Sequence, residues 1–100
     1  MNPIATLNDT YRRSWKDVVF TDNVLMRIQH HLGLAEAVHN FDSFSGDNDP
    51  YGEHDFGSLQ FEGQTVFWKI DYYDQSLSYW CDPLDENCRR VMTVMLAEDY

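Results

Sequence analysis

The stretch that decides the fold is "HDFGSLQFEGQTVFWKIDYYD", residues 54–74. Two segments rich in aromatic and apolar residues flank Glu62-Gly63, and a glycine adopts the positive φ of a two-residue hairpin turn without steric cost. The stretch therefore predicts a β-hairpin. A two-residue turn also fixes how the strands pair, so that Gly57 faces Trp68 on one side of the sheet.

The same register has a consequence for the other side of the hairpin. It pairs Phe56 with Lys69 and His54 with Asp71. Because an imidazole N–H and a carboxylate form a hydrogen bond readily, we expect His54 to contact a carboxylate, with Asp71 as its partner.

The residues before the hairpin predict helices and one strand. "NP" at residues 2–3 supplies an N-cap and a first helical residue, and apolar spacing carries this helix to Trp15. A short strand is predicted over 18–21, and "TDN" then caps a second helix that reaches Gly33. Apolar residues continue at helical spacing over 34–44, which favours a third short helix or a bend.

The C-terminal residues predict a last helix. Asp82-Pro83 matches a cap followed by a first helical residue. The apolar residues that follow at helical spacing are Leu84, Cys88, Val91, Met92, Met95 and Leu96. Cys88 is therefore predicted to be a small core residue. Cys81 and Cys88 form no zinc motif, and we expect both thiols to be reduced.

These patterns predict a single compact α+β domain over residues 1–100. A small antiparallel sheet, made of the hairpin at about 55–74 and the strand at 18–21, packs against N- and C-terminal helices. The sequence is 43% apolar and 15% aromatic, which is sufficient for a core. No apolar run approaches the roughly 18 residues that span a bilayer, and the N-terminus lacks the layout of a secretory signal. We expect a cytoplasmic protein that does not enter membranes.

The negative charge is large and unevenly distributed. The formal net charge is −10, and residues 28–88 contain twelve acids against one base, Lys69. Solubility alone accounts for a magnitude of about 2 to 8 in a small domain. Such a surface repels nucleic acids and anionic membranes and attracts cations or basic proteins. We therefore expect a basic partner and no direct contact with nucleic acid.

Four carboxylates fall within nine residues of one loop: Asp47, Asp49, Glu53 and Asp55. Two unit charges about 6 Å apart repel by roughly 1 to 3 kcal/mol at effective dielectric constants of about 20 to 50, so something must offset the repulsion. Backbone N–H groups of the turn are one candidate. A divalent cation is a second, although the spacing is not that of the twelve-residue calcium loop, whose last position here is Ser58. The arginines of another protein are a third.

An enzymatic alternative uses the same loop. Asp49, Glu53, His54 and Asp71 could form a metal-dependent phosphoesterase with His54 as the general base. However, Lys69 is the lone base of this region, whereas an enzyme that acts on nucleic acid needs several phosphate contacts. We therefore favour a protein without enzymatic activity, and we predict no cofactor.

In the interaction hypothesis, acids and aromatic anchors contact the partner together, as aromatic residues do at many protein interfaces. The predicted partner-binding residues are Asp47, Asp49, Tyr51, Glu53, Asp55, Asp71, Tyr73, Asp74 and Trp80.

Four stretches, "LNDTYRRS" (7–14), "NDPYGEHDFG" (48–57), "FWKIDYYD" (67–74) and "MLAEDY" (95–100), carry a resemblance over nearly the whole chain. In these stretches the chain resembles a family of small proteins, known as a domain of unknown function, that is carried on proteobacterial plasmids, phages and integrated elements. The resemblance assigns no role to any residue. It implies a mobile-element setting, in which small acidic proteins act against host restriction or CRISPR systems.

Together these observations predict a non-enzymatic inhibitor of a host defence complex. It would bind a basic, nucleic-acid-binding surface of that complex, partly by polyanion mimicry. An accessory protein of plasmid transfer or maintenance, with a basic partner encoded by the element, is an alternative.

Overall fold

The computed structural model describes residues 2–100, which form an α+β domain, as predicted. The elements are α1 (Pro3–Ser14), β1 (Val18–Phe20), α2 (Asp22–Arg27), α3 (His31–His39), β2 (Phe56–Phe61), β3 (Gln64–Tyr73), β4 (Arg89–Leu96) and a C-terminal 3₁₀ helix (Ala97–Asp99). The strands form one sheet in the order β1-β4-β3-β2. β1 runs parallel to β4, and the other pairs are antiparallel, so the sheet is mixed.

The core lies between the helices and one face of the sheet. Alternate residues of β3 point into it, and the Trp68 side chain at its centre is fully buried. Val24 of α2 and Leu34 and Val38 of α3 belong to the same buried cluster. The other face of the sheet carries half-buried side chains such as Tyr73. Asp71 lies on this face as well, and both residues belong to the candidate site described below.

The predicted hairpin and its register are confirmed. Gly57 pairs with Trp68 and Phe56 with Lys69, while Glu62 and Gly63 form the turn with positive φ values of 51° and 74°. A Cβ added at Gly57 would lie 2.3 Å from Trp68 Nε1. The glycine is therefore required because the indole lies directly over its backbone.

The first helix and the first strand are also confirmed, but the antiparallel arrangement predicted for that strand is wrong, because β1 pairs in parallel with β4. The Asn2 side chain accepts a hydrogen bond from the Ile4 N–H at 2.8 Å, and α1 ends at Trp15, whose φ is 57°. Among residues 2–100, no helix is both long and apolar enough to cross a membrane.

The predicted boundaries of the next two helices are wrong. Thr21 does cap α2, but α2 ends at Arg27, and α3 then runs through Gly33 instead of beginning after it. The physical reason is Glu62 in the hairpin turn, because its carboxylate accepts the N–H groups of Gln29 and His30. These long-range bonds satisfy the backbone at the break between α2 and α3.

The prediction of a helix after Asp82 is wrong. Arg89–Leu96 form β4, which lies between β1 and β3, and the only C-terminal helix among the described residues is the short 3₁₀ helix. The apolar residues fit a helical period, but β-branched residues favour a buried strand. Asp82 and Asp85 cap turns instead, each accepting an N–H two residues further on, at 2.8 Å.

Replacing Gly57 with alanine should destabilise the domain by about 2–4 kcal/mol, because the new methyl group collides with the buried indole of Trp68. Chemical denaturation followed by tryptophan fluorescence measures the change. Gly46→Ala is the matched control, since a Cβ there meets no atom within 4 Å, and it should change stability by less than about 0.5 kcal/mol. Equal losses in the two variants would contradict the close packing of β2 on Trp68.

Candidate functional site

A buried arginine lies at the centre of the polar residues. Arg12 of α1 is only 1% exposed. Its guanidinium donates hydrogen bonds to the carbonyls of Val38 and Phe41, at 3.2 and 3.0 Å, and to the carboxylate of Asp9 at 3.0 Å. It also lies 5.1 Å from the centre of the Trp68 ring. Arg12 thus connects α1 to the end of α3 and to the core.

Asp9 joins this arginine to His54. The Nδ1 atom of His54 lies 2.9 Å from an Asp9 carboxylate oxygen, and the imidazole stacks on Phe44 with the ring centroids 3.8 Å apart. The prediction that His54 contacts a carboxylate is therefore confirmed, but the predicted partner, Asp71, is wrong. His54 has a positive φ of 56°, which directs its ring to the α1 side, whereas Asp71 lies 3.3 Å from Lys69.

Asp49 is turned inward. It is 8% exposed, and its carboxylate accepts the backbone N–H groups of Glu53 and His54 at 3.1 and 3.2 Å. Nε2 of His54 lies 3.6 Å from the same carboxylate. For this residue, backbone amides offset the charge repulsion within the loop. Asp49 therefore holds the loop in place and does not lie on the protein surface.

A second branch of the polar cluster starts at Asn8, which is fully buried. Its amide nitrogen donates to the Tyr72 hydroxyl at 2.8 Å and to the Glu53 carbonyl at 3.0 Å, and its amide oxygen accepts from Arg90 at 2.6 Å. Burial raises the pKa of Tyr72 to about 12, so the hydroxyl stays protonated at neutral pH.

Sequence analysis did not identify Asn8, Asp9 or Arg12 as members of this cluster. The available signal was the spacing of Asn8 and Arg12, which lie four residues apart and therefore share one face of α1. That face also carries the buried Ala5. Two polar residues in line with a buried alanine indicate a polar contact inside the fold.

The metal-dependent alternative receives no support from this geometry. Asp49 points inward, and Asp71 lies on the open face of the sheet, away from His54. Among residues 2–100, no group of three or more histidine, cysteine, aspartate or glutamate side chains is placed to hold a metal ion. The contacts of His54 with Asp9 and Asp49 instead fasten the loop to α1.

Two acidic segments meet at one edge of β3. The N–H of Ile70 donates to the carbonyl of Asp55 at 2.8 Å, and the N–H of Cys81 donates to the carbonyl of Tyr72 at 3.4 Å. Ile70 and Tyr72 are two residues apart in β3, so Asp55 and Cys81 bond to the same edge of this strand. The loop before β2 and the connection between β3 and β4 therefore lie next to each other along this edge.

The connection between β3 and β4 is held in shape by Asp74. Its carboxylate accepts the Ser76 hydroxyl at 2.8 Å and the N–H groups of Ser78 and Tyr79 at 3.0 and 3.4 Å. These bonds lower the pKa of Asp74, so it stays charged. Trp80 pairs with Tyr73 as an isolated bridge, and its side chain is 70% exposed.

We call this region the acidic surface. Its charged members are Glu53, Asp55, Asp71, Asp74, Asp82 and Asp85, and its aromatic members are Tyr73, Tyr79 and Trp80. Tyr79 was not among the predicted partner-binding residues, although it is 75% exposed. Asp47 and Tyr51 lie in the same loop as Glu53, and both are exposed.

The charges of the acidic surface affect one another. Burial raises the pKa of Glu53, and the carboxylates of Asp55 and Asp49 raise it further. Burial also raises the pKa of Asp55, as do Asp49 and Asp71. The Cys81 thiol responds to the same environment, because its pKa is raised by burial and then by carboxylates that include those of Asp74 and Asp85. At Glu53 and Asp55, repulsion from neighbouring carboxylates therefore adds to the effect of burial.

The fold and this surface define a class of protein: a small α+β domain with a buried polar cluster and an acidic surface that carries exposed aromatic residues. Residues 20–99 match the model of the family described as "Protein of unknown function (DUF3768)", and the chain belongs to this family. Neither the comparison with curated proteins nor that with solved structures finds a match.

Arg12→Met should lower the free energy of unfolding by about 3–5 kcal/mol, because it removes the cation that Asp9 pairs with and leaves two buried carbonyls without their donor. Denaturant unfolding measures the loss. Arg13→Met is the matched control, since Arg13 is exposed, and it should cost less than about 0.5 kcal/mol. Similar values for both variants would contradict the central position of Arg12.

Proposed function

We propose that this protein is a non-enzymatic binding protein that docks its acidic surface on a basic surface of another protein. The observation that carries the proposal is the meeting of the two acidic segments with exposed aromatic residues at the edge of β3. Burial raises the pKa of Glu53 and Asp55, and neighbouring carboxylates raise it further. A partner's arginines would relieve this carboxylate repulsion. Binding is thus favoured by charges that the free protein leaves uncompensated.

The aromatic residues supply the second part of the interaction. Tyr79 and Trp80 are 75% and 70% exposed and follow a segment that Asp74 holds in shape, so little conformational entropy is lost when they dock. Large aromatic side chains are frequent hot spots of interfaces. They can also stack on the guanidinium groups of arginine, which makes them suitable neighbours for carboxylates.

The partner that fits this chemistry is a protein whose basic surface normally binds nucleic acid, because carboxylates spaced along an edge compete with phosphates for the same cations. In the mobile-element setting that the sequence resemblance implies, this partner is a component of a host restriction or CRISPR complex, which the acidic surface blocks. An accessory role in plasmid transfer would use the same surface on a basic protein encoded by the element.

The proposal is tested by affinity capture of host proteins on the immobilised chain, in nuclease-treated extract, followed by titration of the purified partner. The captured protein should be basic and should bind nucleic acid. The affinity of the purified complex should fall as salt is raised from about 0.05 to about 0.5 M, because ions screen the attraction. Capture of an element-encoded basic protein instead would indicate the transfer or maintenance role.

Two variants locate the interaction. The double variant Glu53→Gln/Asp55→Asn should weaken binding about tenfold, whereas Asp22→Asn/Glu36→Gln, which makes the same charge change at exposed positions outside the acidic surface, should weaken it much less. Trp80→Ala should cost about 1–2 kcal/mol of binding, compared with little for Leu32→Ala, which is also highly exposed. A salt-independent complex that tolerates both acidic-surface variants would contradict the proposal.

A further inference from the structure

A cleft of about 530 Å³ lies between α1 and the start of β4, and it shares no residue with the acidic surface. Its wall on α1 is one helix face, whose residues are three and four positions apart: Leu7, Thr10, Tyr11 and Ser14. The segment that follows α1 and the first residues of β4 also line the cleft.

The charge of this cleft is opposite to that of the chain as a whole. Three of the seven lysine and arginine residues line it, namely Lys16, Arg89 and Arg90, compared with one of the seventeen acids, Asp17. Burial raises the pKa of Tyr11 to about 12, so its phenol stays protonated and adds no negative charge. Three cations less one anion give the lining a formal charge of +2.

Two of these cations have no carboxylate partner. The ion pairs of lysine and arginine within residues 2–100 include neither Lys16 nor Arg90. The half-buried Arg90 donates from Nε to Asn8 at 2.6 Å and from Nη2 to the Pro83 carbonyl at 2.8 Å. Both N–H groups of its Nη1 therefore lack an acceptor in the described part of the chain. A partly buried cation without a counter-charge favours the binding of an anion.

Arg89 also keeps one amino group available. Its Nε and Nη2 atoms donate to the two carboxylate oxygens of Asp17, each at 3.0 Å. This bidentate pair fixes the plane of the guanidinium and leaves Nη1 without an acceptor among the described residues. Asp17 therefore orients Arg89 and neutralises only one of the three cations of the cleft.

We propose that this cleft binds a phosphate monoester, with the phosphate on Lys16, Arg89 and Arg90 and the organic group of the ester on Leu7 and Tyr11. The phosphate of a monoester carries a charge of about −1.5 to −2 at neutral pH, which matches the lining. Guanidinium N–H groups fit the geometry of phosphate oxygens.

The α1 wall suits the organic part of such a ligand. Leu7 is 44% exposed, and the ring of Tyr11 is half-buried, so both offer apolar surface to the cleft. The volume also lies within the range of about 300 to 1,000 Å³ that is usual for sites of small molecules. The ligand class is therefore an ester that combines a phosphate with a compact apolar group.

The test titrates the ¹⁵N-labelled full chain with phenyl phosphate and follows the amide chemical shifts by NMR. The shifts should saturate with a Kd of about 0.1 to 1 mM and should be largest for residues of the cleft. Phenyl sulfate has the same shape but a single negative charge, so it should bind at least about fivefold more weakly. Inorganic phosphate, which lacks the apolar group, should also bind more weakly than the ester.

Two variants locate the site. Lys16→Met should weaken the binding of phenyl phosphate about tenfold, because it removes one cation of the cleft. Lys69→Met is the matched control, since Lys69 lies in β3 beside Asp71 and outside the cleft, and it should change the affinity less than about twofold. Thr10→Glu places a carboxylate on the α1 wall and should abolish binding.

Several results would overturn the proposal: largest shifts outside the cleft, equal affinities for phenyl phosphate and phenyl sulfate, or equal losses in Lys16→Met and Lys69→Met. Inorganic phosphate that binds as tightly as the ester would assign the cleft to the free anion and overturn the ester. Far-UV circular dichroism verifies that the variants fold. If one does not, the shifts of the wild-type chain with the three ligands still decide the outcome. Because no partner protein is used, this test is independent of the proposed function.

Discussion

The structure depends on the burial of one guanidinium group. A charge taken out of water must be matched by a counter-charge and by hydrogen bonds, and Arg12 obtains both from Asp9 and from the two carbonyls at the end of α3. Asp9 in turn holds His54, whose ring stacks on Phe44. The loop before β2 is thereby fastened to α1, and this determines where Glu53 and Asp55 reach the surface of the domain.

The chain has few positive charges, and the buried Arg12 is one of them. There are seven lysine and arginine residues for seventeen acids. The ion pairs of lysine and arginine among residues 2–100 are Arg12–Asp9, Arg27–Glu98, Lys69–Asp71 and Arg89–Asp17. Several other carboxylates accept backbone N–H groups, which stabilise the anion without neutralising it. Most of the negative charge therefore remains on the surface, where a basic partner can reach it.

The parts of the fold that could be predicted from the sequence are those fixed by local geometry. A two-residue turn sets the register of β2 and β3, and the side chain of Asn2 sets the start of α1. The sequence predicts a helix where β4 lies, because the apolar residues of β4 fit both a helical period and a strand period. Only the pairing with β1 and β3 selects the strand. The break between α2 and α3 depends on Glu62, more than thirty residues away.

In the candidate site, too, the sequence predicts only part of the arrangement. The excess of acids could be counted from the sequence, and Asp47, Glu53 and Asp55 do lie outside the core. The inward turn of Asp49 could not be predicted, because it depends on the left-handed backbone of His54 and on the contact of His54 with Asp9, 45 residues before it. Long-range pairs of this kind leave no periodic signal in a single sequence.

The central claim is that the folded domain carries negative charge that it does not neutralise internally. The most direct test is the free energy of unfolding at neutral pH as sodium chloride is raised from about 0.01 to about 0.15 M, which shortens the screening length from about 30 to about 8 Å. The account predicts that stability increases, and that the increase is smaller in Glu53→Gln/Asp55→Asn. A stability that stays constant or falls with salt would mean that attractive pairs already balance the carboxylates, and it would contradict the account.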